Sequence, residues 1–272
     1  MKKIKCLMCK SDKSTVLSSF RCEKNPKLGN MKVVRCDKCG FVFMNPQPTY
    51  KELETIYTDS LHERKRRSRL KFLKIWYEKK RMKLVLQEAR KINKNPKNIL
   101  DIGCSNGFFL QLAEQQGLDI YGTEIGKSQI SYLKKNVTKN IYLSEKDLVG
   151  KVKFDIITAF DVIEHLPDPE SFIRNCSRLL NKNGLLIIMT MVMDSWTYRT
   201  FKDRVIWINE EHLFYFTKDK LKELLAKYGL KIFKRKAYNN SLLHLGLFVY
   251  RLLTGKKVDF ADSIIFFARK KG

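Results

Sequence analysis

Four cysteines near the N-terminus have the spacing of a metal site. Cys6 and Cys9 form one C-x2-C pair, Cys36 and Cys39 form a second, and 26 residues separate the pairs. Each pair can place two thiolates on a tight turn, and two such turns complete a tetrahedral zinc site. Gly40 directly after the second pair suits such a turn. This zinc would be structural, because a catalytic zinc keeps one coordination position open.

Disulfide bonds are the alternative for these cysteines, but the sequence shows no export signal, so we expect a cytoplasmic protein with reduced thiols. Cys22 lies between the two pairs and could replace one ligand, although a buried free thiol fits it better. Cys104 and Cys176 read as small core residues.

A second stretch, GCSNGFFLQLAEQQGLDIYGTEI at 103–125, has the features of a nucleotide-binding loop. The dinucleotide fingerprint G-x-G-x-x-G brings a helix N-terminus to a pyrophosphate. Here the loop is G-x-S-x-G, and we place an acid, Asp101, within the turn, which disfavours a pyrophosphate and suits a cationic amino group. Glu124 follows Gly103 by 21 residues and ends the next strand, where an acid can bind ribose hydroxyls. Both acids suit S-adenosylmethionine (SAM), a nucleoside with a cationic tail.

The sequence LDIGCSNGFFLQLAEQQGLDIYGTEI resembles the first two motifs of class I SAM-dependent methyltransferases. Ser105 stands where that family usually has its middle glycine. The segment FDIITAFDVIEHLPDPESFI resembles the family's fourth strand, the loop after it and the next helix, particularly in the branch with ubiquinone-pathway O-methyltransferases. RLLNKNGLLIIMT and EEHLFYFTKDKLKELLAKYGLKI resemble the fifth strand region and the segment before the sixth strand. The resemblance extends over 98–238.

The resemblance implies a set of SAM-binding residues at the ends of successive strands. These are Asp101, Gly103, Cys104, Ser105, Gly107, Glu124, Ile125, Asp147, Phe160 and Asp161. The loop residues would shape the methionine end of SAM, Glu124 would hold the ribose, and Ile125 would pack against adenine. Asp147 would face the adenine amino group, or would be a solvated acid in a turn.

On the acceptor side, Phe160 and Asp161 would line the cofactor and open the acceptor pocket at the carboxyl end of the fourth strand. Because a hydroxyl acceptor benefits from a base, His165 and His212 are the candidate catalytic residues. Each could instead have a structural task, such as bonding loop backbone. Glu164 with His165 could also hold a divalent ion, an option that we place below a metal-free site.

Two further segments could contact the acceptor or a partner. Asp194, Trp196, Tyr198 and Trp207 fall in a long stretch that could cover the acceptor, although aromatic residues also serve as core. The apolar segment within 241–257 could pair subunits or lie on a membrane surface, but covering the sheet is the default.

The elements that would position these residues alternate between strand and helix from Asn98 onward, which predicts an α/β fold: a Rossmann-like, seven-stranded methyltransferase sheet with helices on both faces. The expected strands are 98–102, 119–124, 140–143, 154–160, 184–192, 230–237 and 263–269. The expected helices are 107–117, 127–136, 169–180 and 218–228, with Asp168, Pro169, Thr217 and Gly229 as start and stop signals.

Three regions follow from this pattern. Residues 1–48 form a small zinc-ribbon-like module with short strands near 31–35 and 41–44. Residues 49–97 form a helical linker or cap with a short helix around Glu52 and a longer one around Leu70 to Val85. Residues 98–272 form the methyltransferase domain. This arrangement is similar to bacterial enzymes of glycan synthesis, which implies a small-molecule or glycan acceptor, with oxygen favoured over carbon or nitrogen.

The formal net charge of +26 raises the question of nucleic acid. Lysine and arginine are densest between Arg64 and Lys97, yet lysine is spread along the whole chain, so a general compositional bias explains the charge better. RNA methylation, with the zinc module and basic helix binding phosphates, is therefore the second hypothesis. A non-catalytic zinc-ribbon interaction protein is the third, and the intact loop glycines and acids speak against it. The sequence leaves the oligomeric state open.

Overall fold

The computed structural model describes residues 1–53, 56, 71–201, 208–238 and 263–270. Trp207, the apolar segment at 241–257 and the start of the basic stretch lie outside these residues. Among the described helices, none is both long enough and apolar enough to cross a bilayer.

The strands form two sheets, and we number them along the chain. They are β1 (Ser14–Arg21), β2 (Asn30–Cys36), β3 (Val42–Met44), β4 (Asn98–Ile102), β5 (Asp119–Thr123), β6 (Ile141–Tyr142), β7 (Phe154–Phe160), β8 (Leu180–Met191), β9 (Phe214–Tyr215), β10 (Leu230–Tyr238) and β11 (Ser263–Lys270). The α-helices with defined bounds are α1 (Lys71–Ile92), α2 (Phe108–Glu114), α3 (Lys127–Asn136), α4 (Pro169–Leu179), α5 (Trp196–Phe201) and α6 (Lys218–Lys227).

The larger sheet has seven strands in the order β10-β11-β8-β7-β4-β5-β6. The neighbours from β8 to β6 run parallel, whereas β11 is antiparallel to both β8 and β10. The strand order reverses direction at β4, so the loops after β4 and β7 open at one crevice, where ligands bind in such sheets. The predicted fold class is confirmed.

Both faces of this sheet are buried under helices, as the apolar strands require. Leu86 of α1, Leu110 of α2 and Leu133 of α3 belong to one core cluster. Phe172 of α4 and Leu225 of α6 belong to the cluster on the other side.

The expected helix signals are present. Asp168 accepts a hydrogen bond from the backbone N–H of Ser171 at the start of α4, with Pro169 in the first turn. Thr217 accepts from the N–H of Lys220 at the start of α6. Gly229, just after that helix, has a φ of 74°. Local side-chain chemistry therefore fixes where these helices begin and end.

The smaller sheet joins the N-terminal region to the segment just before α6. Its order is β1-β2-β3-β9, and β9 comes from the methyltransferase region. Val42 pairs with Tyr215 and Phe43 with Phe214 in an antiparallel register. The ring of Phe41 also lies 6.1 Å from that of Phe214. The N-terminal region consequently shares one core with the larger sheet. Neither β1 nor β9 is among the predicted strands.

Candidate functional site

The loop between β4 and α2 has a positive φ at three alternate positions. Gly103, Ser105 and Gly107 have φ values of 72°, 50° and 74°. The backbone N–H groups of Gly103 and Cys104 both donate to the carbonyl of Thr123 at 3.0 Å. The loop is therefore tied to the end of β5 and is held open toward the crevice.

Gly107 is needed for packing as well as for its backbone conformation. A Cβ at this position would lie 2.6 Å from Cδ2 of Leu133 and 2.9 Å from Cγ2 of Val137, on and just after α3. Contacts this short would force the neighbours to move, and a positive φ is already unfavourable for a residue with a Cβ. Only glycine fits between the loop and α3 without strain.

Glu124 lies directly after β5 and is held by backbone N–H groups from both sides of the crevice. Its Oε2 accepts from Ser105 at 2.9 Å, and its Oε1 accepts from Ile125 at 2.8 Å and Gly126 at 3.1 Å. These bonds fix the carboxylate next to the glycine loop. A carboxylate in this position can accept hydrogen bonds from two ribose hydroxyls.

Asp101 is buried inside β4 and is not part of the turn itself, which corrects the sequence-based placement. Its Oδ1 accepts a hydrogen bond of 2.7 Å from the hydroxyl of Thr158 on β7. Burial raises the pKa of Asp101 to about 7 and the charge of Glu124 adds to this rise, whereas the Thr158 bond opposes it. The sequence analysis did not select Thr158, because only the register of β4 on β7 brings the two side chains together.

The remaining predicted cofactor residues have mixed surroundings. Ile125 is 63% exposed, so its apolar side chain is open to a ligand such as adenine. The thiol side of Cys104 is buried in the core. Asp147 is exposed, and its carboxylate accepts from the N–H of Ser144 in a capping box. Of the two interpretations of Asp147, the turn acid matches this contact. Phe160 packs edge-on against Phe109 at 5.1 Å.

The loop after β7 touches the glycine loop. A Cβ at Gly103 would lie only 2.8 Å from Cγ2 of Val162. Asp161, one residue before, is exposed, has a φ of 54° and donates its N–H to the carbonyl of Met189. A non-glycine residue in this region stores strain, which is common beside ligand sites. The two loops thus form adjacent walls of one crevice.

The two predicted catalytic histidines lie together. The centres of their rings lie 4.6 Å apart, and the rings are edge-on to each other. The backbone carbonyl of Glu211, 46 positions after His165 in the chain, contacts Nδ1 of His165 at 2.9 Å. The N–H of Leu213 donates to the carbonyl of Glu164 at 2.8 Å. Since a carbonyl only accepts, Nδ1 of His165 carries a proton in this contact, and Nε2 is the basic nitrogen of the neutral ring.

Glu164 is the buried acid beside this histidine pair. Neither of its carboxyl oxygens has a hydrogen-bond partner in the described structure. Burial, with the charge of Asp161 adding to its effect, raises the pKa of Glu164 to about 8. Ligand atoms of Glu164, His165 and His212 lie within 4.8 Å of one another, so the three residues could also surround a divalent cation.

Of the residues expected to cover the acceptor, Asp194 has a structural task. It accepts from the backbone N–H of Lys218 at 3.1 Å and pairs with the ammonium group of the same residue at 3.3 Å. Tyr198 is half-buried on α5, where it packs on an apolar cluster with Met193 and Ile208.

The four paired cysteines form one cluster. Their sulfur atoms lie within 4.8 Å of one another, with Cys6 Sγ to Cys39 Sγ and Cys9 Sγ to Cys36 Sγ both at 3.5 Å. A tetrahedral zinc with Zn–S bonds of about 2.3 Å places its sulfur atoms about 3.8 Å apart, so the cluster has the right size.

The two cysteine pairs also have matching turns. Lys10 and Gly40 donate their N–H groups to Cys6 and Cys36, and their φ values are 60° and 71°. Although burial raises the pKa of the Cys36 thiol, hydrogen bonds from the backbone of Cys39 and from neighbouring thiols lower it to about 7. Burial raises the pKa of the Cys6 and Cys39 thiols, so in the absence of a metal the thiolate is favoured at Cys36.

Cys22, Cys104 and Cys176 are buried outside this cluster. Their burial agrees with their interpretation as core thiols. The substitute-ligand alternative for Cys22 receives no support from this geometry.

Comparison with known proteins agrees with this geometry. A family model described as "Methyltransferase domain" matches residues 73–234. The ubiquinone biosynthesis O-methyltransferase of Histophilus somni is 28% identical over 134 residues, covering 45% of this chain and 53% of that protein. The enzyme of the same name from Pelagibacter ubique is 36% identical over 112 residues, covering 38% and 47%. The chain thus spans about half the length of the curated relatives it matches.

A solved structure, magnesium protoporphyrin IX methyltransferase from Synechocystis with bound SAH, superposes with a TM-score of 0.52 at 13% identity, covering 72% of this chain and 84% of that one. At this identity the likeness concerns the fold. Together with the glycine loop, the fixed Glu124 and the family match, it leads to one conclusion: this chain belongs to the methyltransferase domain family and has the Rossmann-like fold of class I SAM-dependent methyltransferases.

Proposed function

We propose that the protein transfers the methyl group of SAM to a hydroxyl of a small-molecule or sugar acceptor. The observation that carries this proposal is the contact between Gly103 and Val162. It joins the loop that would bind SAM to the loop that bears His165. This contact supports a site in which a nucleotide pocket and a pair of candidate bases share one crevice, an arrangement that would favour methyl transfer to oxygen.

SAM fits the residues of the crevice. Its sulfonium supplies an already activated methyl group, so the protein needs mainly to bind, align and exclude water. Glu124 would accept the ribose hydroxyls, and Ile125 would cover the adenine. Asp101 would balance the cationic amino group from below the loop, where its carboxylate is stabilised by Thr158.

The histidine pair would assist an oxygen acceptor. A hydroxyl is a weak nucleophile, and a base near neutral pKa removes its proton as the new bond forms. His165, with Nδ1 turned to the Glu211 carbonyl, would offer Nε2, and His212 would hold the imidazole edge-on. The names of the curated relatives, both O-methyltransferases, support oxygen as the acceptor atom.

We also propose a structural zinc ion bound by Cys6, Cys9, Cys36 and Cys39. The four-thiolate set leaves no position for substrate, which supports a structural role. A reducing compartment keeps such thiols available, in line with the expected cytoplasmic location. A glycan acceptor, RNA binding and membrane-surface contact through 241–257 are further hypotheses about partners.

SAM binding measured by calorimetry tests the enzymatic proposal. We expect Glu124→Ala to weaken binding by about 1–3 kcal/mol, because a charged hydrogen-bond partner is lost. Glu114→Ala is the matched control, since it removes the same charge from an exposed position at the end of α2. Absence of SAM binding by the wild-type protein, or equal binding by both variants, would overturn the proposal.

RNA methylation makes a different prediction. If RNA were the acceptor, binding to single-stranded RNA would weaken steeply as salt rises, because counterions are released from phosphates. We expect no such RNA binding in the presence of S-adenosylhomocysteine, the product that methyl transfer forms from SAM.

A further inference from the structure

The small sheet has two faces with different neighbours. One face packs into the core shared with the larger sheet, through residues such as Val34 and Phe43. The other carries Val33 and Arg35 of β2, two residues apart and therefore on the same side. Val42 of β3 lies opposite Arg35 in the strand register. On this second face, Val33 and Val42 belong to a separate apolar cluster, whereas Met44, opposite Val33, reaches the shared core.

A cavity of about 430 Å³ lies over this second face. Val33, Arg35 and Val42 form its floor. Met193, Tyr198 and Ile208 form the opposite wall and come from the stretch after β8 and the segment before β9. The volume is in the range of small-molecule sites, which are largely apolar with a few polar groups.

The cavity adjoins the candidate bases. Val33, Val42, Met193 and Ile208 form one apolar cluster with Tyr215. The ring of Tyr215 lies 6.4 Å from that of His212. One aromatic side chain therefore separates the cavity wall from the histidine pair. The cavity also opens beside the end of β8, the neighbour of β7 in the sheet.

The charge of the lining is one-sided. Arg35 is the charged residue among the described side chains that line the cavity, and those lining side chains include no acid. Its guanidinium is exposed, and no carboxylate of the described residues forms an ion pair with it. Arginine binds carboxylate and phosphate groups with two parallel hydrogen bonds. The cavity therefore suits a ring with an apolar face and an oxyanion.

We propose that this cavity is the acceptor pocket, and that Arg35 binds a carboxylate or phosphate of the acceptor while its ring lies on Val33, Val42 and Met193. This inference rests on the proposed methyl-transfer function and assigns to the cysteine-bearing sheet a part in selecting the acceptor. A neutral acceptor would leave the guanidinium without a partner.

Charged and neutral probes test this assignment. Binding of 4-hydroxybenzoate and of glucose 1-phosphate is measured by calorimetry with S-adenosylhomocysteine present, beside their neutral counterparts 4-hydroxybenzamide and glucose. We expect one of the anions to bind at least roughly fivefold more tightly than its neutral counterpart. The pair that does so distinguishes an aromatic carboxylate from a sugar phosphate. No binding of either anion up to about 10 mM would overturn the proposal.

Two pairs of variants locate the binding. Arg35→Gln should weaken binding of the anion by roughly 5- to 50-fold. Lys32→Gln should leave this binding unchanged, because Lys32 is exposed nearby but does not line the cavity. Leu17→Trp should fill the cavity from its rim, while Val16→Trp, next to it and also exposed, should leave binding unchanged.

All four variants should keep wild-type affinity for SAM, which confirms that they fold. Anion binding that survives both Arg35→Gln and Leu17→Trp would place the acceptor elsewhere and overturn the proposal. Failure of SAM binding in the wild-type protein would instead reject the methyl-transfer function, so the two failures are distinguishable.

Discussion

The hydroxyl of Thr158 donates a hydrogen bond of 2.7 Å to Oδ1 of Asp101, across the pair of strands at the centre of the sheet. The carboxyl group lies below the glycine loop, where water does not reach it. Thr158 opposes the effect of burial and keeps the pKa of Asp101 near 7. This hydroxyl therefore increases the negative charge that Asp101 presents to a cationic ligand at neutral pH.

Removing the Thr158 hydroxyl should weaken the binding of SAM at neutral pH. Thr158→Val keeps the side-chain shape but removes the donor, so the pKa of Asp101 should rise further and less carboxylate should be ionised at pH 7. We expect a loss of about 1 kcal/mol in SAM binding by calorimetry. The difference in SAM affinity between Thr158→Val and wild type should narrow at pH 8.5, where the Asp101 carboxyl is more fully ionised in both proteins. A loss independent of pH would assign Thr158 a role in packing alone.

The same acid should shape the stability of the ligand-free protein. Because its folded-state pKa is raised from 3.8 to about 7, the folded chain holds a proton that the unfolded chain has released. Stability should therefore fall as pH rises from about 4 to 7 and then level off. Asp101→Asn should reduce this slope in urea unfolding while keeping an acceptor for Thr158. An unchanged slope would contradict the raised pKa.

Alanine substitutions at Gly107 and Gly117 distinguish the cost of backbone strain from the cost of side-chain crowding. Both have a positive φ, at 74° and 78°, but a Cβ at Gly117 would meet nothing within 4 Å. Gly117→Ala should cost about 1 kcal/mol, the strain of the backbone alone. Gly107→Ala should cost a further 1–3 kcal/mol or so, because it collides with Leu133 and Val137. Equal losses in urea unfolding would show that α3 moves aside freely.

Much of this fold could be predicted because its signals are local. Strand and helix alternation, the caps at Asp168 and Thr217, and the C-x2-C pairs can each be read within a few residues, and all are present. The relations that the sequence hides are between strands. Asp101 meets Thr158 only through register, and the two-residue β9 is too short to show a period. The Arg35 cavity is formed by segments that lie far apart in the sequence, from Leu17 on β1 to Ile208 before β9.

Glu164 should add to the loss of stability expected from Asp101 and extend it to about pH 8. Its pKa is raised from 4.5 to about 8 by burial, so folding takes up a proton between those values, and stability is lost as pH rises through them. Glu164→Gln should flatten this loss and be more stable than wild type at pH 9 in urea unfolding. Glu114→Gln, at an exposed position, should retain the wild-type slope.

Added Mn²⁺ provides the contrasting outcome for this cluster. If Mn²⁺ stabilises the wild-type protein at pH 8 and Glu164→Gln removes that effect, the three residues bind a cation. The carboxylate would then be ionised by the metal, and the histidine pair would not be a simple base.

The cysteine cluster should bind one zinc ion per chain and stabilise more than its own sheet. Cys36→Ser should lose the metal and lower the melting temperature by about 5 °C or more, because binding energy contributes to folding. Cys22→Ser alters an equally buried thiol outside the cluster and should keep the zinc. Retention of zinc by Cys36→Ser would refute the four-cysteine site.

The pairing of β3 with β9 limits how this protein can be rearranged by recombination. If residues 1–48 were transferred alone to another protein, β3 would lack its partner β9. Its unpaired backbone N–H and C=O groups would then form an exposed strand edge, which favours aggregation. The transferred segment would also lack the contact of Phe41 with the ring of Phe214. A working chimera would have to carry residues 208–216 along with the cysteines. The cysteine-bearing strands and β9 must therefore be exchanged together.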